Sequence, residues 1–332
     1  MMAASKVALE ARGLVKHFPL KRDVLGRGGG LVRAVDGVDI KVFEGETLGV
    51  VGESGCGKST TARLLMHLLS LTSGDILFEG KPVGNGGLSL RAFRRQVQMV
   101  FQDSYASLNP RLTIEDSVAF GPQVHGMPQA QAVTVARDLL TKVGLDPNRF
   151  ATRYPHELSG GQRQRVNIAR ALALHPRLVI LDEAVSALDK SVEAQVLNLL
   201  LDLKDEYGLT YVFISHDLNV VRAISDRVMV MYLGQVVEIG PSESIFAEPK
   251  HPYTRALLSS IPSMDPADRT EKPPLMGDPP NPINPPSGCR FHTRCPHAQP
   301  VCSERPTSLT SSDHQVACHM YVRGSGHSEV VV

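Results

Sequence analysis

Apolar and polar residues alternate from Val7 to Phe18 and again from Val32 to Phe43, the period-two pattern of strands with one buried face. Between them Lys21 to Gly30 ends in Gly-Arg-Gly-Gly-Gly and reads as a flexible insertion. Thr47 to Val51 is a continuous apolar run, Gly52 to Gly57 a turn and Lys58 to Leu69 a helical stretch, which predicts strand, loop and helix in the order of a nucleotide site. From Ser104 to Gly161 the periodicity is helical, broken at Asn109-Pro110, Gly121-Pro122 and Gly126-Met127-Pro128. That change predicts a helical subdomain inserted in a parallel α/β core. Strand patterning returns at Leu178 to Leu181. Val196, Leu199, Leu200 and Leu203 then recur at helical spacing until Gly208, which can end a helix in a left-handed conformation. Thr210 to Ile214 predicts another buried strand, and Val228 to Tyr232 with Gln235 to Ile239 a hairpin turning at Leu233-Gly234.

Beyond Pro249 the pattern fades. Pro273, Pro274, Pro279, Pro280, Pro282, Pro285 and Pro286 remove amide donors and favour extended, linker-like backbone. The expected organisation is therefore an α/β domain over residues 1–249, its helical subdomain at about 104–161, and a Pro- and Cys-rich appendage over 250–332. Few apolar residues lie between Pro262 and Val322, so the appendage is expected to bury little core of its own.

A chain of 332 residues, 42% hydrophobic and 21% charged, has the composition of a soluble globular protein, and a formal charge of +1 gives no global attraction for nucleic acid or anionic lipid. No apolar run reaches the roughly 18 residues of a membrane span, and the opening MMAASKVALE lacks the apolar stretch of a signal peptide, so a cytosolic chain is expected. Of the five cysteines, Cys56 lies in the glycine-rich loop, whereas Cys289, Cys295, Cys302 and Cys318 cluster near the C-terminus. Four thiolates can hold Zn²⁺ or an iron–sulfur cluster, or can stand unligated. The close C-x₂-C pairs of structural zinc sites are absent, while His292, His297, His314 and His319 keep zinc in play.

The loop Gly52-Glu53-Ser54-Gly55-Cys56-Gly57-Lys58-Ser59, followed by Thr60, fits G-x-x-x-x-G-K-[ST] between a strand and a helix. Its glycines let backbone N–H groups approach phosphates, the helix start favours their charge, Lys58 neutralises the β- and γ-oxygens and Ser59 can ligate Mg²⁺. Cys56 is expected to be a small filler. The apolar strand at Leu178 ends in Asp182 and Glu183, which suits a Mg²⁺ contact from Asp182 and polarisation of an attacking water by Glu183. Leu158-Ser159-Gly160-Gly161-Gln162 opens a helix as a second anion-binding start.

One phosphate loop with this separate Leu-Ser-Gly-Gly-Gln motif resembles the ABC ATPase family over about residues 7–245, with Gln102 in Val-Phe-Gln-Asp, Ser186-Ala187-Leu188-Asp189 and His216 in matching order. The resemblance implies a P-loop ABC ATPase fold in which Ser159, Gly160, Gly161 and Gln162 of one subunit close over ATP held by the loop of another. It implies that Gln102 senses Mg²⁺ and the membrane partner, that Asp189 lies at the dimer seam, that His216 contacts the γ-phosphate and that Phe18 stacks on adenine. Ala184 departs from the proline many relatives carry after the catalytic Glu; that position fixes backbone, so catalysis is expected to survive.

Val100 to Arg111 and His251-Pro252-Tyr253-Thr254-Arg255-Ala256-Leu257 resemble the ATPases of dipeptide, oligopeptide and nickel importers, and Asn284 to His292 with Val316-Ala317-Cys318 look like the second ATPase of a peptide importer. The partners this implies are a second ABC ATPase, two membrane permeases touched around Gln102 to Arg111 with Tyr105 and Leu108 as contact points, and an extracytoplasmic solute-binding protein acting indirectly. Nucleic acid is not among them. The implied place is the cytoplasmic face of a bacterial inner membrane, peripherally bound, with ATP and Mg²⁺ as cofactors. A [4Fe-4S] cluster on the four C-terminal cysteines is implied too, far in sequence from the ATP residues. Nickel, glutathione or another small solute stands as alternative cargo. A soluble ABC ATPase would carry two nucleotide domains or a long coiled coil, and a P-loop kinase would lack Leu-Ser-Gly-Gly-Gln.

Overall fold

The computed structural model describes residues 6–20, 29–84, 86–261 and 280–331. Most of the Lys21 to Gly30 insertion and the prolines from 273 to 279 lie outside them. In chain order the strands are β1 (Val7–Pro19), β2 (Leu31–Phe43), β3 (Thr47–Val51), β4 (Ser73–Phe78), β5 (Lys81–Pro82), β6 (Val97–Val100), β7 (Leu178–Asp182), β8 (Thr210–Ile214), β9 (Arg227–Tyr232), β10 (Gln235–Pro241) and β11 (Gln315–Val316). The helices are α1 (Lys58–Leu65), α2 (Leu90–Gln96), α3 (Ile114–Val124), α4 (Gln129–Lys142), α5 (Pro147–Phe150), α6 (Gly160–Leu172), α7 (Lys190–Tyr207), α8 (Leu218–Ile224), α9 (Ser242–Ala247), α10 (Pro252–Leu258) and α11 (Pro300–Glu304).

The chain divides into two compact units. One comprises Met1–Glu10, Lys41–Thr47 and Leu77–Ser215. Within it β6, β7 and β8 run parallel, Val97 opposite Leu178 and Asp182 opposite Ile214. Every residue of β7 and β8 is buried, as a parallel sheet covered on both faces requires, which is why these strands read as unbroken apolar runs rather than alternating ones. Helices α3, α4 and α6 pack together, and α6, which runs past residue 161, also packs on β6. Helix α7 runs to Tyr207 and ends at Gly208 in the left-handed conformation expected of it.

The other unit comprises Ala11–Ile40, Leu48–Ile76 and His216–Val332. Here β3 pairs parallel with β9, and β9 turns back on β10 through Leu233 and Gly234, both at positive φ as a tight hairpin demands. The C-terminal β11 then pairs antiparallel with β10, Val316 opposite Glu238. Two expectations are corrected in this unit. The helix after the phosphate loop stops at Leu65 rather than Leu69, because the chain turns at His67 with φ 50°. The tail does own a core: Val316, Cys318 and Met320 are buried together with Tyr321 against them, and Phe291 packs edge-on to Tyr232 at 5.3 Å and to Tyr253 at 5.4 Å. It borrows aromatic surface from elsewhere in the unit instead of building all of it locally. Among the described residues no helix is long and apolar enough to cross a membrane.

Candidate functional site

The phosphate loop begins where β3 ends. Its last glycine, Gly57, takes φ 108° at the start of α1, and a Cβ there would lie 2.3 Å from the carbonyl oxygen of Ala34, so both conformation and space exclude a side chain. The Lys58 ammonium sits in the concavity, donating to the carbonyls of Gly52 at 2.7 Å and Glu53 at 3.0 Å. The hairpin supports the loop from beneath, Gly234 N–H donating to Cys56 O at 2.8 Å. Cys56 is 3% exposed, and burial pushes its thiol up despite the neighbouring Lys58. Ser54 and Gly55 are exposed at the loop tip, with Ser59 and Thr60 half-buried on α1. Phe18, on β1, is also half-buried rather than a core residue, with the Lys16 ammonium 5.1 Å from its ring centre.

In the other unit β7 delivers two carboxylates with different surroundings. Asp182 is the buried last residue of the strand, 2% exposed. Glu183 follows at φ 48°, a sparsely populated region for a residue with a side chain. It is held there by its N–H on Ile214 O at 2.9 Å and by the Ser186 hydroxyl on its own carbonyl at 3.0 Å. Gln102 reaches the same carboxylate, Nε2 donating to Oε2 at 2.7 Å. The buried Ala184 accommodates the turn without the proline.

Ser159 caps α6 in a reciprocal box, its hydroxyl accepting Gln162 N–H at 3.3 Å while Gln162 Oε1 accepts Ser159 N–H at 3.0 Å. Gly161 could not carry a Cβ, which would fall 2.5 Å from Val192. Gly160 and Gly161, both half-buried beside the exposed Ser159, thus leave α6 with a small-residue N-terminal face where anions are favoured. Asp189 is exposed and precedes α7 without capping it through its side chain. His216 is exposed just after β8, and Asp217 caps α8 by accepting from Asn219 and Val220. Along Gln102 to Arg111 the two expected contact points differ: Tyr105 is 49% exposed, but Leu108 is 4% exposed and belongs to the core.

In the tail, Cys289, Cys295, Cys302 and Cys318 line one small cavity, together with His292, His297, His319 and His327. Burial raises Cys289 to about 11 and Cys318 to about 12, and the neighbouring thiols push in the same direction. The histidine rings have protein partners: His292 Nδ1 lies 2.8 Å from Cys289 O, His319 Nε2 3.0 Å from Arg305 O, His297 Nδ1 2.9 Å from Glu329 and His327 Nε2 2.9 Å from His297 O. His314 is not at the cavity; it pairs with the buried Glu238 at 2.6 Å. As they stand, no three His, Cys, Asp or Glu residues among those described form a group that could hold a metal ion.

Sequence reasoning missed the residues that join this tail to the phosphate loop. The Arg294 guanidinium grips Glu53 with both arms, at 2.9 and 3.1 Å, and reaches Tyr232 Oη at 3.3 Å. The Tyr253 hydroxyl accepts Glu53 N–H at 2.8 Å, and Arg290 pairs with Asp36 and donates to Leu233 O. One signal was available: no acidic residue lies between Asp278 and Glu304, so these two arginines have no local counter-charge.

The "ABC transporter" family model matches residues 35–186, and the "oligopeptide/dipeptide transporter, C-terminal region" model matches residues 237–302. The chain is 49% identical over 326 residues to the oligopeptide transport ATP-binding protein AppF of Bacillus subtilis, covering 96% of this chain and 99% of that one. It is 49% identical over 321 residues to the oligopeptide transport ATP-binding protein OppF of Escherichia coli, covering 94% and 96%. Among solved structures, the dimeric post-hydrolysis state of the ATP-binding cassette MJ0796 bound to ADP and Pi superposes with TM-score 0.61 at 29% identity, covering 70% of this chain and 98% of that one.

Proposed function

This chain belongs to the ABC transporter family as an ATP-hydrolysing subunit, and we propose that it energises the import of di- or oligopeptides. The observation that carries peptide over other cargo is the match of the tail itself, residues 237–302, to the oligopeptide/dipeptide C-terminal region, within near-full-length identity to AppF and OppF. In this reading residues 1–249 are the ATPase domain and 250–332 its appendage. The subunit sits peripherally on the cytoplasmic face of the membrane, paired with a second ATPase beneath two permeases that a solute-binding protein supplies.

The chemistry follows from the groups in place. Backbone N–H groups from Gly52 to Gly57, with Ser54, Ser59 and Thr60, cradle the phosphates, and Lys58 offsets charge on the β- and γ-oxygens. Ser59, Gln102 and Asp182 would hold Mg²⁺, which supplies further charge neutralisation across the phosphates. Glu183, fixed by its backbone and by Gln102, orients the attacking water and draws its proton toward Oε1 or Oε2 as the γ-phosphoryl transfers. His216 donates toward the γ-phosphate, and Phe18 packs on the adenine. Ser159, Gly160, Gly161 and Gln162 of one subunit, with Asp189 at the seam, close over nucleotide bound by the other, so that hydrolysis needs both.

Cys302 and Cys318 are buried and Cys289 and Cys295 half-buried around one cavity; as they stand they form no metal-holding group, and the reading we favour has the four drawn together on a [4Fe-4S] cluster as a structural staple. A single Zn²⁺ with bonds of about 2.3 Å needs its sulfurs drawn close around one point. A cluster spans more widely set thiolates, and the cavity histidines already have protein partners.

The test is purification of the complex with its co-expressed permeases and binding protein, followed by ATP hydrolysis in liposomes. Stimulation by di- or oligopeptides supports the reading. Stimulation by nickel or glutathione alone overturns the cargo and leaves the ATPase.

A further inference from the structure

The segment Cys289-Arg290-Phe291-His292-Thr293-Arg294-Cys295 forms an arch with a cysteine of the cavity at each end. Three of its residues reach toward the nucleotide loop. Phe291, 1% exposed, packs against the touching rings of Tyr232 and Tyr253, and the Tyr253 hydroxyl accepts the amide N–H of Glu53. Arg290 pairs with Asp36 and donates to Leu233 O, beside the hairpin glycine whose N–H holds Cys56 O. Arg294, its side chain 5% exposed, makes the paired bonds to the Glu53 carboxylate.

Glu53 is therefore fastened at three points. Its carboxylate is held by Arg294, its N–H by Tyr253, and its carbonyl accepts from the Lys58 ammonium at 3.0 Å. A bidentate arginine–carboxylate pair fixes direction as well as distance. A glycine-rich loop left to itself would lose conformational freedom whenever it closed on phosphate, and a loop already held loses less.

We propose that Arg294 is a positioning residue of the phosphate loop: carried by the cysteine-ended arch, it fixes Glu53 and so pre-organises the loop for nucleotide. This rests on the ATP-site reading above. Arg294 acts through Glu53 and supports the loop alike in the bound complex and in the transition state. Its loss thus weakens binding without slowing the chemical step.

The experiment uses the full-length chain in the assembled transporter, with R294A, R294K, E53Q and the double variant R294A/E53Q. R294A and E53Q are each expected to raise KM for ATP, and Kd for MgATP read with a fluorescent analogue, by about tenfold while kcat stays within about twofold. R294K, which keeps one charged hydrogen bond, should recover part of the loss. The double variant should be no worse than the worse single one, because both remove the same pair. Unchanged affinity in both single variants, a fall in kcat at constant KM, or additive losses in the double variant would each overturn the proposal. Thermal unfolding of each variant is measured alongside: a Tm lowered in proportion to the affinity loss, with no recovery in R294K, would also overturn it by making the role one of folding. A wild-type chain that does not bind MgATP would overturn the nucleotide-site reading and this brace with it.

Discussion

Gln102 donates its side-chain amide to Glu183 Oε2 at 2.7 Å, joining the loop after β6 to the carboxylate at the end of β7. The residue proposed to sense the partner thus touches the carboxylate proposed to orient the water. Glu183→Gln keeps the shape and removes the charge. It is expected to bind ATP but to turn over at least about 100-fold more slowly, with ATP-bound dimers accumulating on size exclusion. Hydrolysis near the parental rate would remove Glu183 from the mechanism.

Ser159→Arg places a long cation on the exposed N-terminal face of α6 and deletes a capping box worth about 1 kcal/mol. The expected result is loss of hydrolysis at the partner's site with ATP binding to this chain's own loop largely retained. Equilibrium binding to the isolated variant checks it, since failure there would tie Ser159 to its own site or to the fold.

The permease contact is expected around the exposed Tyr105 and not the buried Leu108. A cysteine at 105 should crosslink to a cytoplasmic permease helix in the assembled complex. Crosslinks formed only from the C-terminal appendage would move the contact elsewhere.

Anaerobically purified protein is expected to be brown, with four irons per chain for a [4Fe-4S] cluster. Serine at Cys302 or Cys318 should bleach the colour and increase protease sensitivity of the tail. Colourless protein carrying stoichiometric zinc by elemental analysis would exclude the cluster, and protein with neither metal would leave ordinary thiols.

Asp36 is partly desolvated, which alone would raise it, but its bonds to His17 and Arg290 outweigh burial and hold its carboxyl below the ordinary 3.8. A carboxylate with a depressed folded-state value contributes stability above its unfolded value and loses it as pH falls through the folded one. Asp36→Asn should therefore destabilise by about 1 to 2 kcal/mol in urea at pH 7. The gap should be no smaller at pH 5 and should close only below 3.8. A gap that closes between pH 7 and 5 would assign the effect to another group.

The parts of the site that were legible in the sequence are those whose geometry is local. Gly57 and Lys58 announce the phosphate loop because a positive φ, a close backbone approach and a helix start all fall within a few residues. Asp182 and Glu183 are legible because a fully buried strand ends on them. What stayed hidden depends on distance along the chain. Arg294 lies 241 residues from Glu53, and only folding reveals that an arch read as remote from ATP holds the loop. Leu108 misled for a related reason: an apolar residue in a turn-rich segment gives no sign of which side it faces, and here it faces inward.

The pairing of β11 with β10 has a consequence for truncation. Cut after residue 249, the chain would lose the partner of Glu238 and Ile239, leaving a strand with unsatisfied amides and carbonyls open to pairing with another molecule. It would also strip the wholly buried Glu238 carboxylate of His314 and of the backbone N–H groups of Lys250 and His251. Synthesis delivers β11 well after β10, so the nascent chain carries an adhesive flank until residues 315 and 316 emerge. C-terminal nonsense changes should consequently act as aggregation lesions.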